Sequence, residues 1–246
     1  MQDNSLAWLF HENTCLMPET ARRFAAEIEP PPLEERPHAC PACPVVPLRG
    51  GTLWMSLARG LRTRRSCREF RCRPVSLRRV AELLLAAVGA GAIRADGGRQ
   101  RPYPSAGALY PVSCYLLARN VRELPTGVYH VNGDRAVLEL VGRHEDRGAE
   151  YEAGLRQAIL GDTPLHNAAF YVMLAGDLDR SVAKYGARGY RFLLLEAGHV
   201  AQNFELAATA AGLGHVALGG FCEGELERLA GLTGSSFRAL YLMAFG

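Results

Sequence analysis

An α+β fold is predicted for this chain of 246 residues on three observations. Segments of helical period interleave with strand-like runs. A β-hairpin, "GVYHVNGDRAVLELV", sits among them, which a doubly wound parallel sheet would not accommodate. One run, "AAFYVMLAG", is apolar throughout and of strand length, and so reads as a buried strand.

The elements follow in order. A helix is expected around Glu19–Glu29, after Pro18. Residues 30–50 hold half of the fourteen prolines, which excludes a helix or a central strand and predicts an extended arm. The division is therefore an N-terminal segment with its arm, 1–50, and one domain, 51–246. "SLRRVAELLLAAVGAG" is a helix with Ser76 as N-cap and glycines at its end. "VSCYLLAR" is a strand, and in the hairpin Asn132-Gly133 is expected to supply the positive φ of a tight turn. "EYEAGLRQAILG" is helical, and a long helix rich in Ala and Gly runs from about Ala187 to Ala211, suited to close central packing. "GHVALGG" gives a short strand, "EGELERLAGL" a helix and "FRALYLMAFG" a last strand.

With 48% hydrophobic and 22% charged residues the composition is that of a globular protein with ample core. Neither an apolar run of membrane-spanning length nor a secretory start is present, so a cytoplasmic protein with reduced cysteines and no membrane partner is expected. A net charge of +3 is too small to argue for nucleic acid. The Cys40–Cys43 pair lacks a second ligand pair at zinc spacing, so no metal site is expected.

Three segments carry candidate chemistry. Nine arginines and one acid lie between Arg59 and Arg79. They read either as a solvated basic face or as a phosphate pocket in which Arg64, Arg65, Ser66 and Arg68 gather just before a helix. "RPYPSAGALYPV" reads either as a turn-rich connector or as a loop whose small residues, Ser105, Ala106 and Gly107, let backbone lie against a ligand. "AKYGARGYR" places Lys184 and Tyr185 at a glycine-containing loop. They are either an exposed lysine and a packed tyrosine, or a base with a proton relay. His199, in mid-helix, is expected to be a structural hydrogen-bonding residue.

Taken together, "RRSCREF", "PSAGALYP" and "KYGARGYRFLLLEAGHVAQNFELAATAAGLG" resemble the flavin-dependent nitroreductase superfamily, and within it the SagB-type dehydrogenases, azoline oxidases of thiazole/oxazole-modified peptide biosynthesis. The resemblance runs from about Gly51 to the end, and "LFHENT" is similar to the family's amino-terminal segment. It implies a nitroreductase-like core, a mainly antiparallel central sheet flanked by helices, in an intertwined homodimer that holds FMN at the subunit interface. By the resemblance, Arg64, Arg65, Ser66 and Arg68 hold the FMN phosphate and ribityl chain. Pro104, Ser105, Ala106 and Gly107 lie against the isoalloxazine, and the backbone of Gly219 and Gly220 approaches its N5 edge. Lys184 and Tyr185 match the catalytic pair of the azoline oxidases. The implied substrate is an azoline ring in a peptide or carrier-bound intermediate, with a cyclodehydratase or synthetase as partner. A nitro- or quinone-reductase using NAD(P)H, and a flavin-binding scaffold subunit, are the alternatives. The family commonly carries a basic residue after the final strand, where this sequence reads "LYLMAFG"; either another arginine substitutes or the phosphate is held less tightly.

Overall fold

The computed structural model describes residues 5–15, 44–93, 99–141, 148–159 and 164–246. The helix expected at Glu19–Glu29 and the Cys40–Cys43 pair lie outside them. A seven-stranded sheet organises the chain, in the order β1-β6-β5-β3-β7-β9-β8, every neighbouring pair antiparallel. Its strands are β1 (Val45–Pro47), β3 (Val112–Ala118), β5 (Gly127–Asn132), β6 (Val137–Leu140), β7 (Phe170–Asp177), β8 (His215–Leu218) and β9 (Phe237–Phe245). β2 (Val75–Ser76) and β4 (Val121–Arg122) form a separate parallel pair. The mainly antiparallel α+β sheet expected from the sequence is thus the one present.

Helices cover both faces. On one lie α3 (Leu77–Val88) and α6 (Arg188–Ala211), whose Leu83, Leu84 and Phe204 pack fully buried against Leu116, Val172 and Phe245. On the other lie α4 (Gly148–Ala158) and α7 (Glu223–Leu229), whose Tyr151, Leu155 and Leu226 pack with Tyr115 and Tyr171 of the sheet. Each such leucine contributes about 1.5–3 kcal/mol by leaving water. In α6 the buried face runs Leu193, Ala197, Val200, Ala201, Phe204 and Ala208, the spacing of three and four that a helix needs. Gly212, at φ 64°, ends it in the left-handed conformation.

Other elements form where local signals are weaker. α1 (Ser5–Thr14), α2 (Leu57–Thr63) and α5 (Leu178–Tyr185) were not expected as helices. β1 comes from the proline-rich stretch, so the sheet takes its edge strand from the N-terminal side of residue 50; an edge tolerates Pro47 because one of its rims needs no ladder donor. Ser76 does stand at the N-cap of α3, but its side chain makes no capping bond; the Leu77 amide donates to Glu123 Oε2 at 3.2 Å instead.

The hairpin is correct and its expected turn is not. The chain reverses over 133–136, with positive φ at Ala136 (51°) and not at Gly133. Asn132 Oδ1 instead accepts the Arg135 amide, three residues on, at 3.1 Å, a local side-chain-to-backbone bond that holds the reversal. Gly133 is required by closeness: a Cβ there would stand 2.4 Å from the Val88 carbonyl oxygen.

Candidate active site

The loop from Arg101 to Pro111 is a constrained object rather than a plain connector. Gly107, Ala108 and Tyr110 have φ of 57°, 54° and 49°. Two of the three carry side chains, each at a cost of roughly 1–2 kcal/mol, so the surroundings must impose the shape. They do so from several sides. Ser105 Oγ accepts the Tyr110 amide at 2.9 Å, and Asp177 at the start of α5 donates its amide to Pro111 at 2.9 Å. Arg180 of α5 donates to the Leu109 carbonyl at 3.2 Å, and Asn203 of α6 to that of Pro102 at 2.9 Å. Tyr103 packs edge-on to Tyr110, centroids 5.7 Å apart.

Lys184 and Tyr185 are in the last turn of α5, which Asp177 caps, and not in a loop as expected; Gly186, at φ 55°, then turns the chain into α6. A single helical turn gives both side chains fixed stems. Both are half-buried, and Tyr185 packs edge-on against Phe192 of α6 at 4.9 Å. Burial holds the Tyr185 phenol above its usual range, so it is a proton donor at neutral pH. The loop and the pair meet: a Cβ on Gly107 would lie 2.2 Å from Tyr185 Oη and 3.0 Å from Lys184 Nζ. A larger residue here would have to displace Tyr185 Oη and Lys184 Nζ and would add the strain of a positive φ, which glycine avoids. Two of the three sequence-defined segments therefore form one wall.

The arginine segment lies elsewhere. It follows α2 instead of preceding a helix, Arg64 being the C-cap, so among the described residues no helix N-terminus lends it amides; the next helix along the chain begins at Leu77. Ser56 upstream caps α2 by accepting the Arg59 amide, and this sets the helix earlier than the basic run suggests. Arg64 pairs with Glu205 of α6 at 3.5 Å. Arg65 folds back onto the carbonyls of Arg62 and Arg64. Ser66 and Arg68 are exposed. The Cys67 amide donates to His215 at 2.8 Å, which lays this segment along β8, the strand whose end carries Gly219 and Gly220. Both glycines are exposed, and a Cβ on Gly219 would meet open space. His215 is buried and held neutral by that burial; its Nδ1 faces the Leu213 carbonyl, and Nε2 has no partner among the described residues. Beyond the segment, Arg71, Arg73 and Arg79 line a groove of about 440 Å³.

Two placements correct the sequence reading of α6. His199 is exposed, on the side that also exposes Leu194, Leu195 and Gly198, and is no core residue. Arg188 and Arg191 of "RGYR" hold the last carbonyls of α1, at Thr14 and His11, while Phe10 packs edge-on to Tyr190. The sequence reading also missed Glu196. Only 3% exposed, it accepts the Val112 amide at 3.3 Å and bonds the Ser105 hydroxyl, tying both ends of the loop to α6. Burial lifts its carboxyl to about 7, against the lowering effect of those bonds and of Arg101. Its signal was present: Leu193, Glu196, Ala197 and Val200 share one face, so the acid lies on the apolar side of the helix.

Known proteins resemble this chain over most of its length. The chain is 34% identical over 168 residues to the nitroreductase-type protein MJ1384 of Methanocaldococcus jannaschii, covering 68% of this chain and 79% of that protein. It is 29% identical over 180 residues to McbC of Escherichia coli, a microcin B17-processing protein, covering 70% of this chain and 62% of McbC. Of solved structures, the E. coli microcin synthetase McbBCD complex with truncated pro-MccB17 bound superposes with a TM-score of 0.65 at 25% identity, over 98% of this chain and 91% of the matched one. The Nitroreductase family profile matches residues 61–246, and with that match over most of its length the chain belongs to the nitroreductase family of oxidoreductases.

Proposed function

We propose that this is an FMN-dependent dehydrogenase of the SagB type, which converts thiazoline or oxazoline rings in a peptide or carrier-bound intermediate to thiazole or oxazole. The observation that carries the reading is the contact of the Gly107 loop with Lys184 and Tyr185. A wall of bare backbone beside a half-buried amine and phenol suits a flat ring that must lose a proton. The likeness to McbC supports the same direction.

The donor set fits FMN. Arg64, Ser66 and Arg68 offer guanidinium and hydroxyl donors for a phosphate, and the open side of Gly219 admits a ligand against backbone. The unpartnered Nε2 of His215 is an acceptor of the kind a ligand hydroxyl satisfies. In this reading Gly219 and Gly220 border the ring, as do Pro104, Ser105, Ala106 and Gly107, while Arg65 contributes charge from its exposed position. The chemistry that bound FMN would supply at this site is acceptance of the azoline's hydride, with oxygen as the final acceptor. Lys184 Nζ takes the proton from the ring carbon next to the carbonyl. Tyr185, kept protonated by burial, donates to the carbonyl oxygen that gains charge, and Gly107 keeps both within reach of the ring.

The exposed apolar side chains Trp54, Leu57 and Leu61 around α2, and Leu194 and Leu195 of α6, are surfaces that a homodimer would cover. The segment 1–50, whose α1 and β1 are bound to the rest of the fold, would also carry the proline-rich arm that meets a synthetase partner, with 51–246 as the catalytic domain. Incubating the FMN-loaded protein with an azoline-containing peptide should remove two hydrogens per ring by mass spectrometry; an unchanged peptide under air defeats the reading. A second reading, an NAD(P)H-dependent reductase, is favoured by the higher identity to MJ1384. Rapid bleaching of the bound flavin by NADPH would select it.

A further inference from the structure

The loop's most deeply held polar group is one the mechanism above does not use. Glu196 and Ser105 share a hydrogen bond, Ser105 Oγ accepts the Tyr110 amide at 2.9 Å, and Glu196 Oε1 accepts the Val112 amide at 3.3 Å. Ser105 is half-buried and stands two positions before Gly107 in the loop.

We propose that Glu196 is the proton-holding positioning residue of this site: by giving or taking the proton it shares with Ser105, it sets whether the loop presents Ser105 to a ligand as a hydrogen-bond donor or as an acceptor. Counting bonds gives the reason. A hydroxyl has one proton and two lone pairs, and the Tyr110 amide occupies one lone pair in every state. When Glu196 is ionised, Ser105 gives its proton to the carboxylate and offers the ligand a lone pair only. When Glu196 is protonated, it donates to Ser105, whose own proton is then free to point at the ligand. The Val112 amide stays bonded in both states, because the second carboxyl oxygen remains an acceptor. The loop therefore keeps its shape while its polarity reverses.

The surroundings place this exchange near neutral pH. Burial lifts the carboxyl to about 7. The ionisable groups around it are Arg101, which opposes that rise, and Tyr103, whose phenol is pushed well up by burial and by Glu196 itself. Arg101 is also held by Asp134, at 2.7 Å, and Tyr110 and Cys114 of β3 face the Tyr103 phenol. A ligand covering the loop removes more water from Glu196 and so favours its neutral form, in which Ser105 is the donor.

The inference rests on the reading of the loop as a wall of the FMN site, and its test separates the two. FMN affinity, followed by quenching of flavin fluorescence, should fall about tenfold in the wild type between pH 7 and 8.5, as one proton per site is linked to binding. Glu196→Gln keeps an acceptor for Val112 and a permanent donor for Ser105. It should bind FMN as the wild type does at low pH, with no pH dependence. A flat wild-type profile, or an unchanged slope in Glu196→Gln, overturns the proposal. A second measurement needs no flavin: the Glu196 carboxyl carbon, followed by NMR in the flavin-free chain, should titrate near neutral and move upward in Ser105→Ala. A midpoint in the ordinary carboxylate range, or one that ignores Ser105→Ala, overturns it as well. If that titration behaves as expected while no FMN binds at any pH, the flavin reading is what fails, and the Glu196–Ser105 couple stands.

Discussion

The two walls of the candidate site are built in opposite ways. The loop wall is over-determined. Gly107, Ala108 and Tyr110 hold left-handed conformations, and the loop is bound by Ser105, Arg180, Glu196 and Asn203 from three directions. The arginine wall is loose. Ser66 and Arg68 are exposed, Arg65 bonds its own backbone, and Arg64 is partnered across a 3.5 Å gap by Glu205. Glu205 follows Glu196 by nine positions along α6, which sets the two anchors about 14 Å apart along the helix axis. In the proposed function, the wall that would orient the chemistry is preorganised, and the wall that would meet a charged, flexible group is left to be ordered by it.

The most severe way to break the difference is at Gly107. In Gly107→Val the added carbon would fall 2.2 Å from Tyr185 Oη at a φ of 57°. The variant should lose FMN altogether and be colourless, with azoline turnover below detection. An equally bulky change at Gly219, where a Cβ meets open space, should fold normally and lower FMN affinity only severalfold. Comparing absorbance of the two purified variants decides the matter, and equal flavin content would erase the contrast between the walls.

Next in size is the chemistry itself. Lys184→Ala and Tyr185→Phe should retain FMN and fold, and lose about 10²–10⁴ in azoline turnover, the range for one positioned acid or base. Full turnover in both would remove the pair from the mechanism.

How far this contrast was legible in the sequence depends on what each residue answers to. The strands and α6 could be read because their apolar spacing is local and strong, as in Leu193, Ala197, Val200 and Phe204. Gly107 was identified as a place of close approach, but what approaches it, Tyr185 from 78 positions away, is a fact of tertiary packing. Gly133 shows the same limit from the other side. The dipeptide Asn132-Gly133 promised a tight turn, whereas the glycine answers to the Val88 carbonyl of a distant helix end. The arginines were visible as charge, but their position after α2 depended on the Ser56 cap, a weak signal in a seven-residue helix.

A smaller effect, about 3 kcal/mol, belongs to the loop wall through Glu196. Its carboxyl lies at about 7 when folded against a reference of 4.5, so the folded chain holds an extra proton between those values. Unfolding free energy from this group is therefore greatest below about 4.5 and is lost as pH rises through about 7. Denaturant midpoints of the flavin-free protein should show that fall, and Glu196→Gln should abolish it. Glu139 works in the other direction and in a separate window. Its bond with His130 lowers it to about 2, so its contribution is lost only as pH falls below 4.5.

The smallest effect tests the loose wall, at the Arg64–Glu205 pair. The pair is partly exposed, so its own worth to stability is roughly 0–1 kcal/mol, and Glu205→Gln should barely move the denaturant midpoint. Its consequence for binding is larger and opposite in sign. Releasing Arg64 from a competing carboxylate should tighten FMN severalfold at low ionic strength, and the gain should shrink as salt screens the freed charge. Arg64→Ala should weaken FMN by a similar factor while leaving the Gly107–Tyr185 contact untouched. If Glu205→Gln weakens FMN instead, Glu205 is holding Arg64 in its binding geometry, and the arginine wall is as preorganised as the loop wall.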